Sequence, residues 1–519
     1  MGRLFNGSRP RLVLHPVLLA AAYVLNQGLA TEAEISAFIR PLIVASLFAV
    51  ALTLVGWATF RNRWDGGLLA TAVIVLAIGT FPAYKGWQLF GPTIGPFVAV
   101  AGLTLLLGLP IVVAFRALRL RQTVPRPGAG ALNTFSAILV AVVVLANTAG
   151  SFPRAVGRAT TSAPTIDVPP AGAALPDIVV ILLDGYPRTD VLERRLGIDN
   201  RDFLAALSQR GFDVAGESHS NYVFTALTLA SLFQMRYVDE IDDIRPLIGT
   251  NRPYHAVLRD ATTDGPAFAA LRSAGYQIMT APPGWGHVSL AAASDRVLDN
   301  GEMTDLERSL LEQTWLLDLV TLVKPDALTG QLRDRLVHAF DHLDAFASEE
   351  RDSPAFLFLH VPGPHLPLVV DAQGSTLPLP ARELGAVNPE ALHMTRAEYS
   401  ATWAGELAYL EKRVLRSVDA LQARDAPPVI VVMADHGYIQ EVRADDVQSR
   451  FANLFAAFTP GAPGLLADAP TPVNLMPRLL NRYLRTDFAE SQDRYFLSPG
   501  PLEPLMLTEV SDPEAAPAP

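Results

Sequence analysis

The sequence predicts a two-part protein: an N-terminal bundle of five transmembrane helices, then an α/β domain with a mostly parallel sheet covered by helices on both faces. Three observations carry that expectation. Five apolar stretches long enough to cross a bilayer core, which takes about 20 residues, fill the first third of the 519 residues. Charge divides with them: residues 1–150 hold eleven Lys and Arg against three Asp and Glu, a surplus of +8, so a chain of net charge −11 carries −19 in the remainder. Beyond residue 176, short runs of β-branched and aliphatic residues alternate with helical patterns, as a parallel sheet with helical crossovers requires.

The apolar stretches run from about 12–30, 41–60, 67–84, 94–115 and 132–151. Arg3, Arg9 and Arg11 precede the first span, Arg61 and Arg63 separate the second and third, and Arg116, Arg119, Arg121 and Arg126 separate the fourth and fifth. The alternate loops hold Glu32, Glu34 and Lys85, with Arg40 at a span boundary. Basic short loops stay in the cytoplasm. The expectation is therefore a multi-pass inner-membrane protein with a cytoplasmic N-terminus, a transmembrane domain over 1–151, and everything after Ser151 outside. The spans carry few charges, which argues against a transport pathway. Residues 152–175, rich in Pro, Ala, Thr and Gly, form a linker, 176–510 the extracytoplasmic domain, and 511–519 a disordered tail.

In the second part, apolar runs at 177–183, 276–279, 355–359, 429–433 and 453–458 are expected strands. Helical patterns cover 225–234, 304–323, 332–346 and 396–423. Ligands of such sheets bind at the carboxyl ends of the strands. There the sequence places Asp184-Gly185-Tyr186, then His360-Val-Pro-Gly-Pro-His365-Leu-Pro367, then Ala434-Asp435-His436-Gly437. Carboxylates and imidazoles are metal ligands and partners of phosphate. One Asp-Gly alone is an ordinary turn, but acidic and imidazole groups on three strand ends point to one site. Thr225 opens a helix, whose N-terminus favours a phosphate or sulfate; read by itself it is equally an N-cap. Gly284-Trp285-Gly286-His287 is expected to be a structural turn. The acidic second part excludes ordinary nucleic-acid binding, and the absence of cysteine excludes disulfides and thiolate metal sites.

These motifs resemble those of the alkaline phosphatase superfamily, in particular its bacterial membrane-embedded sulfatase-like members. Ile181-Leu-Leu-Asp184-Gly-Tyr186 is similar to the first metal motif, and Ala434 through Gly437 to the second. The segment from Ser220 to Tyr237, with Thr225, resembles the nucleophile segments of nucleotide pyrophosphatases and lipoteichoic acid synthases. His360 through Pro367 resembles a sulfatase-like His and Pro stretch. The resemblance implies that Asp184, Thr225, Asp435 and His436 bind one divalent metal, with zinc, manganese or magnesium suitable and calcium admitted. It also implies that Thr225 is the nucleophile and that Asn221 and Thr228 hold substrate oxygens. His360 and His365 would meet the phospho group or leaving oxygen, with His365 catalytic.

Sulfatases of this kind use a formylglycine made from cysteine or serine. Threonine stands at that place here, and the chain has no cysteine. No histidine follows His436, which favours one metal over two, as in phosphoethanolamine and phosphoglycerol transferases. The expected activity is phospho-group transfer through a phospho-threonine, with the lipid bilayer as partner, a phospholipid as donor, and an envelope glycan or lipid as acceptor. Hydrolysis of phosphate or sulfate esters is the alternative, and an inactive membrane scaffold is the alternative of another class.

Overall fold

The computed structural model describes residues 12–30, 35–79, 128–148, 175–250, 252, 254–314, 316–379, 388–440, 446–500 and 503–514. The chain forms two units. One joins 1–159 with 304–324, and the other joins 160–303 with 325–519. The sequence expectation was one domain over 176–510. The stretch 304–324 lies in the middle of that range but packs with the N-terminal helices.

In the first unit, helices His15–Ala30, Ile39–Phe60, Arg63–Gly79 and Gly128–Thr148 overlie four of the five expected spans. The expected span at 94–115 lies outside the described residues. Among the described residues one helix, Ser36–Phe60, is long and apolar enough to cross a membrane, and the apolar part of the last described helix runs only Ala131–Leu145. Close packing comes from small residues: a Cβ on Gly56 would stand 2.6 Å from the Gly66 Cα, so the second and third helices approach backbone to backbone. Polar groups turn inward. Asn133 Oδ1 accepts the backbone N–H groups of Leu14 at 3.1 Å and His15 at 2.8 Å, filling part of the donor deficit at a helix start. The His15 ring bonds the Thr71 hydroxyl at 2.6 Å.

The second unit is built on a seven-stranded sheet: β1 Ile178–Leu183, β2 Asp213–Val214, β3 Gln277–Ala281, β4 Arg296–Val297, β5 Ala355–Val361, β6 Val429–Met433 and β7 Phe455–Phe458. Its order is β2-β7-β6-β1-β5-β3-β4. The pairs from β6 through β4 are parallel, while β7 runs antiparallel to β6 and β2 antiparallel to β7. A separate two-stranded ribbon joins β8 Tyr495–Leu497 to β9 Thr508–Val510.

β1 sits at the centre and shows why its sequence is continuously apolar. Ile178, Val180 and Leu182 enter one core with the helix Thr225–Gln234, while Val179, Ile181 and Leu183 enter the other with the helices Ala327–Ser348 and Arg396–Gln422. Alternation of side chains along a strand distributes one run between two cores. The expected helix at 304–323 is two helices, Asp305–Glu312 and Leu316–Val323.

Candidate functional site

Three loops leave the carboxyl ends of β1, β5 and β6, neighbours in the sheet, and bring the chemistry together. After β1 the chain turns through Asp184 and Gly185. Gly185 has φ +68, and a Cβ there would lie 3.1 Å from the His436 ring, so the turn suits glycine on two counts. Its N–H donates to Asp435 Oδ1 at 3.0 Å, tying the first loop to the third. After β6, Gly437 packs so closely that a Cβ would stand 2.4 Å from the Ser449 carbonyl oxygen. After β5, His365 stands between the cis peptides Gly363-Pro364 and Leu366-Pro367.

Ligand atoms of Asp184, His365 and His436 lie within 4.8 Å of one another. Asp435 Oδ2 is 3.4 Å from His436 Nε2, and Asp184 Oδ1 is 3.7 Å from the same nitrogen. The imidazole tautomers follow from their partners. His436 Nδ1 donates to the Gly437 carbonyl at 2.8 Å, and His365 Nδ1 donates to the Leu366 carbonyl at 2.7 Å. A carbonyl only accepts, so each Nδ1 carries a proton and Nε2 is the nitrogen left to face the cluster. Asp184 Oδ1 and Asp435 Oδ2 are buried without a hydrogen-bond partner among the described residues. Buried polar atoms rarely go unpaired. Two orphaned carboxylate oxygens facing imidazole nitrogens form a donor set that fits a divalent cation.

Burial alone would raise the Asp184 pKa, but His365, His360 and His436 around it bring it down to about 2. Burial works against charge on His436, yet Asp435 and Asp184 outweigh it and raise its pKa.

The residues expected from sequence fall into three groups. Asp184, Asp435 and His436 meet, and His365 joins them as a member of the ligand cluster. Thr225 is the first residue of its helix and is nearly buried, preceded by Phe224 in an extended conformation without a side-chain cap. His360 is fully buried and bonds Asp184 Oδ2 at 2.9 Å, so it acts on a carboxylate and not directly on a substrate.

Asn221 and Thr228 differ from expectation. The Asn221 amide donates to the Arg494 carbonyl at 3.1 Å and accepts from the Val473 N–H at 3.0 Å. The Thr228 hydroxyl donates to the Asp435 carbonyl at 3.0 Å. Both side chains bind backbone, as Asn and Thr in such positions often do. Thr228 thereby anchors the Thr225 helix to the loop that carries Asp435.

The turn Gly284 to His287 is not a bland one. Trp285 meets the His365 ring edge-on at 5.3 Å and the His360 ring at 6.3 Å. His287 stacks on Phe224 at 6.2 Å, next to Thr225, and lies 5.1 Å from the His255 ring. Burial, helped by His255, pushes the His287 pKa down to about 4, leaving a neutral ring at physiological pH. The two glycines and one aromatic were the available signal, but no spacing rule ties them to a strand end.

No protein-family model matches the sequence, and no curated protein does. Solved structures do. An integral membrane lipooligosaccharide phosphoethanolamine transferase A from Neisseria meningitidis aligns over 94% of this chain and 86% of its own, at 16% identity and TM-score 0.41. A phosphonate monoester hydrolase of Agrobacterium radiobacter aligns over 62% of this chain and 80% of its own, at 13% identity and TM-score 0.40. A putative sulfatase from Bacteroides thetaiotaomicron aligns over 62% and 78%, at 13% identity and TM-score 0.38. The structural neighbours are thus a phosphoethanolamine transferase, a phosphonate hydrolase and a sulfatase. At such identities and TM-scores the likeness concerns the path of the chain, and the chemistry is argued from the residues themselves.

Proposed function

We propose that the protein is a membrane-anchored, divalent-metal-dependent transferase or hydrolase of the alkaline phosphatase superfamily, acting on phosphate esters outside the cytoplasm through Thr225. The observation that carries this reading is the convergence of Asp184 Oδ1, Asp435 Oδ2 and the rings of His365 and His436, with no hydrogen-bond partner for the two oxygens among the described residues.

A divalent cation held there would lower the pKa of a hydroxyl and neutralise charge on a phospho group. The chain's own residues supply the rest. Thr225, at a helix start, presents its hydroxyl where the N–H groups of the first turn favour an anion. His360 fixes one oxygen of Asp184 and leaves the other for the metal. His365 closes the cluster with its Nε2, and Trp285 packs against its ring. Attack by the Thr225 oxygen on phosphorus would form a phospho-threonine and release the first alcohol. A second alcohol, or water, would then take the phospho group and restore the hydroxyl.

Threonine at the nucleophile place and the lack of cysteine favour phosphate over sulfate esters, because no formylglycine can form from threonine. The apolar helix Ser36–Phe60 supports a lipid-borne donor such as a phospholipid head group, with an envelope glycan or lipid as acceptor. The remaining spans and the cytoplasmic N-terminus belong to the same proposal.

The test is mass spectrometry of the full-length protein incubated with phospholipid and zinc or manganese, beside Thr225→Ala. A phospho adduct on Thr225 in the first and none in the second is expected, and its mass identifies the donor group. Turnover undiminished in Thr225→Ala would overturn the assignment.

A further inference from the structure

The stretch Thr304–Lys324 leaves the catalytic unit after Met303 and rejoins it at Pro325, and between those points it belongs to the other unit. Its first helix, Asp305–Glu312, is started by a capping box: the Thr304 hydroxyl accepts the Glu307 N–H at 3.3 Å, and the Thr304 N–H donates to the Glu307 carboxylate at 2.8 Å. Leu306 is buried against Val24 and Phe38, with Leu310 packed beside them. Arg40 Nε and Nη2 donate to the two oxygens of Glu307.

Arg40 sits in the first turn of the apolar helix Ile39–Phe60. A cation at the end of an otherwise apolar span marks the level of the lipid headgroups. The Glu307 helix is therefore fixed at that level by an ion pair and by apolar packing.

The second helix, Leu316–Val323, follows at once. Val320, Leu322 and Val323 make an apolar stripe of its last turn. Val320 is 39% exposed, Leu322 66% and Val323 87%. Among the described residues the catalytic unit exposes only Val297 and Met506 of its large hydrophobics, so this cluster breaks the rule for that part of the sequence. Lys324, also exposed, ends the segment.

We propose that the helix Leu316–Val323 lies in the headgroup layer of the bilayer, its apolar stripe toward the acyl chains and Lys324 toward lipid phosphate. The occupant of the stripe is lipid because the stripe continues, through Glu307 and Arg40, from a helix whose own Ile39, Ile43 and Val44 are exposed. A short amphipathic helix bounded by a basic residue is suited to that layer. The proposal rests on the reading that Ser36–Phe60 crosses a bilayer; it is independent of the reaction.

The chain has no cysteine, so a single introduced thiol labels one position alone. The experiment places a nitroxide on Val323→Cys in the full-length protein, reconstituted in phosphatidylethanolamine and phosphatidylglycerol liposomes. Collision with oxygen, which partitions into lipid, is compared with collision with a water-soluble nickel chelate. Leu47→Cys in the span and Glu503→Cys in the catalytic unit are the references. The expected oxygen-to-nickel ratio for Val323 lies several-fold above that for Glu503 and below that for Leu47. A ratio equal to that for Glu503 overturns the proposal. Shielding from both probes also overturns it and points to a second protein copy as the occupant. A water-like Leu47 label would overturn the underlying span reading as well, which separates the two failures.

Discussion

In the catalytic unit Leu357 and Val431 are fully enclosed, whereas in the N-terminal unit Leu47 is 64% and Val55 62% exposed, although all four are aliphatic residues in regular structure. Polar groups are buried in both. His15 is enclosed in the N-terminal unit with Nδ1 bonded to Thr71, while the catalytic unit encloses Asp184 and Asp435, and among the described residues His15 Nε2 and one oxygen of each aspartate lack a hydrogen-bond partner. The same aliphatic chemistry is sorted in opposite directions. The difference is what the proposed membrane reading requires: a unit facing water hides apolar surface, and one facing hydrocarbon shows it. It also separates two kinds of buried polar group. One is a lone imidazole bonded to a neighbouring helix; the other is a cluster in which acidic and imidazole groups converge.

The sharpest way to break that second distinction is Asp435→Asn. If the orphaned oxygens hold a metal, activity falls by at least about 100-fold, since even outer-shell partners of metals cost 10–100-fold. The Tm should hold or rise in metal-free protein, because a buried like-charge neighbour of Asp184 is gone. A Tm that falls as far as activity does would make Asp435 a structural residue acting through the Gly185 N–H. Chelation of wild type should reproduce the activity loss and be reversed by added metal.

Core packing tests the sorting of apolar residues. Leu357→Ala, in the central sheet, should cost about 2–5 kcal/mol by urea unfolding of the catalytic unit. Leu47→Ala, on an exposed face, should leave that transition unchanged. Equal effects would erase the contrast between the units.

A smaller effect belongs to a buried acid that is only half unsatisfied. Glu406 accepts the Val369 N–H at 2.6 Å and the Val370 N–H at 3.1 Å, while its Oε1 has no partner. Burial raises its pKa from 4.5 to about 8, although the two N–H groups oppose the rise. The folded state therefore keeps a proton that the unfolded chain has released. Stability from this group is complete below the unfolded pKa and is lost as pH climbs toward about 8. Glu406→Gln should flatten that loss, read as Tm against pH. The slope left over belongs to Glu411, which burial raises to about 7. An unchanged profile in Glu406→Gln would contradict the assignment.

The smallest expected change is Trp285→Ala. Loss of an aromatic edge contact to His365 should lower kcat/KM by roughly tenfold, in line with about 0.5–1.5 kcal/mol for such contacts. Unaltered kinetics would reduce Trp285 to packing.

Much of the catalytic unit was legible because its signals are long or chemically sharp. β6 runs Val429–Met433 and the helix opened by Thr225 runs Thr225–Gln234, both where the apolar pattern put them. Asp184, Asp435 and His436 were found because strand ends in parallel sheets collect functional groups. β2 and β4 have two residues each, too few to show a period. β7 carries the right pattern, but antiparallel pairing leaves no mark on four residues. Asn221 and Thr228 were expected to face substrate, yet which way a polar side chain turns depends on backbone groups distant in sequence, here Arg494, Val473 and Asp435. The helix pattern at 304–323 was visible, but its unit was not, because Glu307 finds its partner 267 residues away at Arg40.

That excursion has a consequence for proteolysis. The polypeptide passes between the two units three times: once in the region of residues 159–160, and again at 303–304 and 324–325. A protease that nicks the chain once between residues 152 and 175 produces two fragments, but not two units. The C-terminal fragment still owns Leu306 and Glu307, which pack with Val24, Phe38 and Arg40 of the N-terminal fragment. Limited digestion followed by alkaline washing is therefore expected to leave the catalytic fragment in the pellet, held by a piece of the other unit that it carries inside its own sequence.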